Sequence, residues 1–326
     1  MAHYISAIYQ VFPGKPTYTE NDIPDLSGKV YIVTGANTGI GKEAARILYS
    51  KNAAVWVAAR NLEKGANAVA SIKEAHPSSE GRLELLQLDL SDLTTVKASA
   101  DAFLAKEKRL DVLINNAGVM IPPHGSKTAQ GYELQLGTNC LGPFLFTQLL
   151  TPMLIATAKS APKGSVRIVW TSSSAAELFN TTGGIDLDNL DYKRDVSYVH
   201  KYGISKAGNY YHATEYARRH RDDGIVSVSL NPGNLKSELD RNCNYFEMLF
   251  RNATTYPTVN GAYTELFAAL SDKVNMDNTG AWIIPWGRIS NIRRDLLQGS
   301  KSEEEGGTGI AQKFWKWSEE QTGQYA

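Results

Sequence analysis

A chain of 326 residues is long enough for one large domain or two small ones, with a sizeable buried core. Its 34 Lys and Arg balance its 34 Asp and Glu, so no basic excess points to nucleic acid or to an anionic membrane surface. Two cysteines, Cys140 and Cys243, are too few for a disulfide framework or a thiolate metal site, and the six histidines show no metal-ligand spacing.

The amino terminus, MAHYISAIYQVFPGK, lacks the charged start and long apolar block of a signal peptide. No unbroken apolar run of about 18 residues marks a membrane span. A cytoplasmic globular protein is expected. Apolar runs then alternate with longer helical patterns. The expected strands are KVYIVTG (29–35), AAVWVAAR (53–60), LELLQLDL (83–90), DVLINNAG (111–118), VRIVWTSS (166–173), VSVSLNPG (226–233) and AWIIPWG (281–287). They are rich in Val, Ile and Leu and mostly do not alternate with polar residues, as strands buried on both faces of a parallel sheet should not. Helical segments fill nearly every gap; SDLTTVKASADAFLAKEK (91–108), for instance, offers Ser91 as its N-cap. Seven strands with intervening helices make an α/β fold, a single doubly wound parallel-sheet domain of the Rossmann type with helices on both faces. That domain is placed at 27–298, after an N-terminal extension at 1–26. GSKSEEEGGTG (299–309) is expected to be a flexible link to a C-terminal helix, in which Ile310, Phe314 and Trp317 form a packing face.

Folds of this kind bind ligands beyond the carboxyl ends of their strands. The first strand runs straight into TGANTGIGKEAA, with Gly35, Gly39 and Gly41 where a strand hands over to a helix. Glycines there let the backbone turn tightly and approach a pyrophosphate, which rests on the positive end of the helix. The second strand ends VAARN. Ala59 stands where a carboxylate would bind the ribose of NAD, and Arg60 follows, suited to the 2′-phosphate of NADP. The alternative is that Arg60 is a solvated loop charge. Further strand ends, LDLSD and NNAG, bring Asp89 towards the adenine end and Asn116, Ala117 and Gly118 beside the nicotinamide ribose. In SYVHKYGISKAGN, Tyr198, Tyr202 and Lys206 are spaced four apart and share one face of a helix.

TGANTGIG, NNAG, YGISK and NPGNLKS occur in the order found in the short-chain dehydrogenases/reductases, and the chain resembles that family over about 27–290. The long connection between Ser173 and Tyr202 is similar to the retinol-dehydrogenase-like branch, particularly its fungal members. The resemblance implies a catalytic set of Asn139, Ser173, Tyr202 and Lys206. The family's tyrosine is followed four residues later by lysine, and Tyr202 meets that condition through Lys206. A free phenol titrates near pH 10. A neighbouring ammonium, with the positive charge of oxidised nicotinamide, favours phenolate and suits Tyr202 to exchange a proton with a carbonyl oxygen or an alcohol. Of the three serines in IVWTSSSAA, the family pattern selects Ser173, and strand alternation puts Ser172 on the opposite face. Ser173 would bind the substrate oxygen, while Asn139 would fix a water near Lys206. For the cofactor the resemblance adds Asn37 and Ile40 from the glycine loop, Leu90 beside Asp89, and Pro232, Gly233, Leu235 and Ser237 from NPGNLKS. Tyr202 and Lys206 also hold the nicotinamide ribose.

Two positions depart from the family pattern: Trp170 stands where many relatives have asparagine, and Ser237 where threonine is common. The segment about 234–257 corresponds to a flap over the substrate. Tyr245, Phe246, Met248 and Phe250, with Met120 and Ile121, either line an apolar pocket or form an amphipathic face packed on the core. Tyr198 is placed in the approach loop as a packing or substrate-contact residue. The function expected is an NADP(H)-dependent carbonyl reductase, or alcohol dehydrogenase, for a lipophilic small molecule. A non-redox cyclase or isomerase, or an idle NADP-binding regulator on the same fold, is the alternative. The sequence leaves a homodimer or homotetramer open.

Overall fold

A computed structural model of the chain describes residues 10–236 and 255–326. In chain order its elements are β1 (Val30–Thr34), α1 (Gly39–Ser50), β2 (Ala54–Ala59), α2 (Leu62–Ala75), β3 (Arg82–Gln87), α3 (Leu93–Lys106), β4 (Val112–Asn115), α4 (Gly142–Ala158), β5 (Arg167–Thr171), α5 (Ala175–Leu178), α6 (Tyr198–Arg219), β6 (Val226–Leu230), α7 (Thr258–Leu270), β7 (Trp282–Ile284), β8 (Arg288–Ser290), α8 (Arg294–Ser300) and α9 (Ile310–Thr322). The strands form one sheet in the order β3-β2-β1-β4-β5-β6-β7-β8. All neighbours are parallel except β7 and β8. The order reverses between β1 and β4, and a crevice opens beyond strand ends at such a reversal.

The strand sequences are continuously apolar because both faces of the sheet are covered. On β1, Tyr31 and Val33 enter one core and Val30 and Ile32 the other. On β5, Val169 joins the first core while Ile168 and Trp170 join the second. The first core is closed by residues of α1 and α7, the second by α3 and α4. Trp170, where the family pattern expects asparagine in many relatives, is fully buried and donates its Nε1–H to Ser227 Oγ at 3.1 Å.

Each of the seven apolar runs overlaps a strand, and an eighth strand is added. After β7 the chain turns and β8 returns antiparallel, pairing Ile283 with Ile289. Three residues with a single apolar side chain carry no readable period. The cap of α3 is Asp92, whose Oδ1 accepts the Thr94 N–H at 3.1 Å; Ser91 instead turns back, giving its N–H and Oγ–H to Asp89 Oδ1. The segment expected to be a flexible link is tied down. Gly307 N–H donates to Ser302 O at 2.8 Å, Thr308 N–H to Gln298 O at 3.0 Å and Gly309 N–H to Lys301 O at 3.0 Å. The N-terminal segment is also stitched to the domain: Gln10 donates to Glu177 Oε2 at 2.7 Å and accepts from Asn231 Nδ2 at 2.9 Å, and Trp286 Nε1–H reaches Gly14 O at 3.0 Å. The helical run Leu134–Ala158 is long and apolar enough to cross a membrane by length and composition, but 67% of its apolar window is buried inside the fold.

The terminal helix α9 is held to α6 through an aromatic stack. The His212 ring lies parallel to Phe314 at 4.8 Å and tilted on Phe144 at 4.9 Å, with Nε2 2.9 Å from Ser318 Oγ. Burial pulls the His212 imidazole down to about 3. An unfolded histidine protonates near pH 6.5, so between these values the unfolded chain binds one more proton than the native protein. Stability from this residue is therefore full above pH 6.5 and is lost as pH falls towards 3, by about 1.4 kcal/mol per pH unit. His212→Phe should flatten the acid limb of a Tm-against-pH curve relative to wild type by that slope; parallel curves would show that His212 does not stay neutral.

Candidate active site

The crevice beyond the strand ends is a cleft of about 490 Å³ that spans the reversal between β1 and β4 and extends to the ends of β5 and β6. One half is built of backbone. β1 gives way to the turn carrying Gly35 and Asn37, and α1 starts at Gly39. Gly35 has φ +67°, and a Cβ there would lie 2.9 Å from the Ala117 Cα, so the turn packs directly on the segment after β4. A Cβ on Gly41 would collide with Asn116 Nδ2, which itself donates to Thr34 O at 2.6 Å. Gly39, at φ +60°, faces open space instead. Thr38, the N-cap of α1, makes no side-chain capping bond, so the first-turn amides of α1 have no side chain answering them. A glycine face open to a cleft at an uncapped helix start fits the diphosphate of a dinucleotide.

Ile40, Asp89, Leu90, Asn116, Ala117 and Gly118 also line this half, and Pro232, Gly233 and Leu235 line the far wall. Gly233 has φ +91°, and its N–H is held by Asn231 Oδ1 at 3.0 Å. Gly41 is buried behind the wall, not on it. Arg60 lines the outer end beside Ala59, as do Asn61 and Lys64, which the sequence reading did not select. Asn61 caps α2 by accepting the Lys64 N–H at 2.9 Å, which places Lys64 in the first turn on the cleft side. A second cation four residues after Arg60 at a helix start was the available signal.

The other half carries the side chains expected to be catalytic. The Lys206 ammonium is only 4% exposed and donates to the Thr171 carbonyl at 2.9 Å, as does Asn209 Nδ2 at 3.0 Å. Ser172, the next residue, gives its hydroxyl to the Lys206 backbone carbonyl at 2.6 Å. These bonds lock the end of β5 against α6. The Ser172 hydroxyl is therefore spent on the helix; both Ser172 and the half-buried Ser173 border the cleft. Tyr202, one turn before Lys206, also lines the cleft, with Lys206 Nζ 5.6 Å from its ring centroid. Gly203 beside it admits the close passage of α5: a Cβ there would collide with the Phe179 carbonyl.

Tyr198 is not in an approach loop. It is the first residue of α6, capped by Ser197, and its ring meets His124 edge-on at 5.3 Å, away from the cleft walls. Asn139 lies within a π-helical turn, Gly137–Leu141, immediately before α4. Its side chain accepts the Val119 N–H at 2.8 Å and donates to Val119 O at 3.0 Å and Ser205 Oγ at 2.9 Å. A Cβ on Gly118 would stand 3.1 Å from Asn139 Oδ1 and 3.4 Å from Lys206 Nζ. Glycine at 118 therefore leaves room beside both groups. Met120 lines the cleft, while Ile121, at φ +45°, does not. Ser237, Tyr245, Phe246, Met248 and Phe250 lie outside the described residues.

Burial pulls the Lys206 ammonium down to about 8, opposed by the field of Cys140 and Glu265. Burial pushes the carboxyl of Glu265, on α7, up to about 8, opposed by a hydrogen bond from Thr171 and by Lys206. No apolar period or motif marks Glu265, because it sits on the core face of an apolar helix. Among the described residues no cluster of histidine, cysteine and carboxylate could hold a metal.

A family model for short chain dehydrogenases matches residues 29–184. A short-chain dehydrogenase/reductase of Phomopsis amygdali is 56% identical over 321 residues, covering 97% of this chain and 96% of its own length. An uncharacterized protein of Mycobacterium paratuberculosis has a similar crystal structure, with TM-score 0.68 and 28% identity over 94% of this chain and 97% of that one. The NADPH-bound carbonyl reductase from chicken fatty liver shares the fold at TM-score 0.63 and 21% identity, over 84% and 97% of the two chains. The 56% identity to the Phomopsis amygdali protein over nearly the whole length places the chain in the short-chain dehydrogenase/reductase family, whose members are oxidoreductases that use nicotinamide cofactors.

Proposed function

We propose that the protein is an NADP(H)-dependent carbonyl reductase, equally an alcohol dehydrogenase in reverse, acting on a lipophilic ketone or aldehyde. The observation that carries this reading is the convergence of Ser173, Tyr202 and a buried Lys206 at the inner end of a dinucleotide-shaped cleft. NADPH, when bound, supplies the hydride. Ser173 donates a hydrogen bond to the carbonyl oxygen and stabilises the negative charge that develops there. Tyr202 protonates that oxygen, and the ammonium of Lys206, 5.6 Å from the ring centroid, favours the negative charge left on the phenol. Asn139 holds the Gly118 loop and Ser205 in place around Lys206.

Support for a lipophilic substrate comes from Met120, an apolar side chain on the cleft wall, and from Leu178 and Phe179, exposed apolar residues on the segment that follows Ser173 and packs against Gly203. Apolar surface of this kind favours a substrate with apolar surface to bury.

The tyrosine assignment gives the first kinetic expectation. Tyr202→Phe should retain NADPH binding while kcat falls roughly 10²–10⁴-fold, about 3–5 kcal/mol of barrier. Tyr198→Phe, whose hydroxyl is off the cleft, should cost far less; equal losses would remove the distinction between the two phenols.

Cofactor choice rests on residues 59–64, because the shared fold accommodates the ligand without deciding the phosphate. Arg60 and Lys64 flank Ala59 at the outer end of the cleft, where a 2′-phosphate would meet two cations and no carboxylate at 59. Arg60→Ala should weaken NADPH binding about ten- to a hundredfold, roughly 1.5–3 kcal/mol, and barely change NADH binding. Lys64→Ala should act in the same direction. The measurement is kcat/KM with each cofactor, and a wild type that prefers NADH would refute the reading.

A further inference from the structure

Behind the reactive lysine, on the side away from the cleft, lies a second ionisable group that the reaction as derived does not use. Glu265 is on α7, its side chain fully buried. Its Oε1 accepts the Thr171 hydroxyl at 2.8 Å, and its Oε2 is buried without a hydrogen-bond partner. Thr171 is the residue whose carbonyl receives the Lys206 ammonium at 2.9 Å. One residue at the end of β5 thus joins a carboxyl and an ammonium, both enclosed, through its hydroxyl on one side and its carbonyl on the other.

We propose that Glu265, acting through Thr171, is a positioning residue for Lys206: it fixes the carbonyl on which the ammonium rests and keeps that ammonium charged at alkaline pH. The inference rests on the reductase reading only for the consequence in turnover.

The surroundings leave Glu265 little else to answer. Lys206 is the charged group whose field reaches Glu265, and Glu265 is the carboxyl whose field reaches Lys206. The strands packed beneath α7, namely β4, β6 and β7, carry no charged side chain, and β5 carries one, Arg167. Arg167 is spent on the other end of α7, donating to Ala268 O at 3.1 Å and Ser271 O at 3.0 Å. On α1, Arg46 is paired with Glu43 and Glu20, and Lys42 lies in its first turn at the surface side. Cys140 gives its thiol to Ser205 O at 3.0 Å, and burial pushes it far above the usual thiol range, so it stays neutral. A bound oxidised nicotinamide would add a positive charge on the cleft side and disfavour the ammonium, which increases the value of a compensating carboxylate behind it.

Two enclosed groups of this kind titrate as a pair. When the first proton leaves as pH rises, loss from Glu265 leaves an ion pair and a working ammonium, whereas loss from Lys206 leaves two neutral groups. Replacing the carboxyl by an amide removes the first route. Lys206 must then release the proton itself, at lower pH.

The test is Glu265→Gln, which keeps the shape and can still accept from Thr171. Reduction of 9,10-phenanthrenequinone by NADPH is followed from pH 6 to pH 10. The alkaline limb of kcat/KM should move down by about one pH unit, so that the ratio of activity at pH 9 to that at pH 6.5 falls several-fold. A loss equal at every pH, or an unmoved limb, overturns the proposal. Should Glu265→Gln fail to fold, Thr171→Val breaks the link while keeping the carbonyl, and its alkaline limb should move the same way; an unmoved limb overturns it equally. The same comparison is read without turnover from NADPH fluorescence: affinity should fall more steeply between pH 6.5 and pH 9 in the variant than in wild type, and parallel falls overturn the inference. A wild type that binds NADPH but reduces no carbonyl would refute the function proposed above and leave this binding test to decide the role of Glu265.

Discussion

The half of the cleft proposed to be catalytic depends on one buried contact, the ammonium of Lys206 on the backbone carbonyl of Thr171. A charge removed from water is costly unless it is hydrogen-bonded and balanced. The chain meets that demand with the last residue of a central strand. Because Ser172 bonds the Lys206 carbonyl and Asn209 bonds the Thr171 carbonyl, the strand end and one turn of α6 are joined at three points. The positions of Ser173 and Tyr202 follow from that joint. Ser173 is one residue beyond it on the strand and Tyr202 one turn before it on the helix.

The cofactor half is fixed by close approach of backbones instead of charges. Gly35 and Gly41 are glycines because the turn after β1 lies against Asn116 and Ala117 with no room for a methyl group. Asn116 and Thr34 complete the contact, since Thr34 Oγ1 receives the Ala117 N–H at 2.9 Å and Thr34 O receives Asn116 Nδ2. Gly39 differs in kind. Its missing side chain faces open space, which is the condition for a ligand to reach the amides at the start of α1. The glycine pattern of one motif therefore contains both packing glycines and one access glycine.

These distinctions mark what the sequence could carry. Strand positions were legible because two-sided burial removes the polar alternation, and the motifs were legible because strand ends in this topology converge. The choice of Ser173 over Ser172 came from the family pattern, with strand alternation as its physical support. What was hidden depends on partners distant in sequence. The eighth strand is three residues long and owes its existence to β7. Asp92 and not Ser91 is the helix cap, and the Ser91 N–H and hydroxyl go instead to Asp89, two residues back. The acidic, glycine-rich stretch near 300 looked unstructured by composition, yet its amides close onto α8 and onto Ser302. Gln10 and Glu265 carry no local signal: the first is defined by Glu177 and Asn231, the second by Thr171. Tyr245, Phe246 and Phe250, expected on a substrate flap, lie outside the described residues.

β5 ties these features together. It is five residues long, apolar in the middle and polar at both ends. At its start Arg167 donates to the carbonyl of Ala268 in the last turn of α7 and to that of its C-cap, Ser271, which also accepts the Val274 N–H. A cation at a helix C-terminus also suits the helix dipole. At its finish Thr171 holds Glu265, near the middle of the same helix, and Lys206 of the next. Helix α7 is thus fixed in register along the strand by two contacts about one strand length apart. A slide of α7 by one turn would break both the cap at Arg167 and the carboxyl contact at Thr171. The placement of a group behind the active site is in this way set by the same strand that sets the group in front of it.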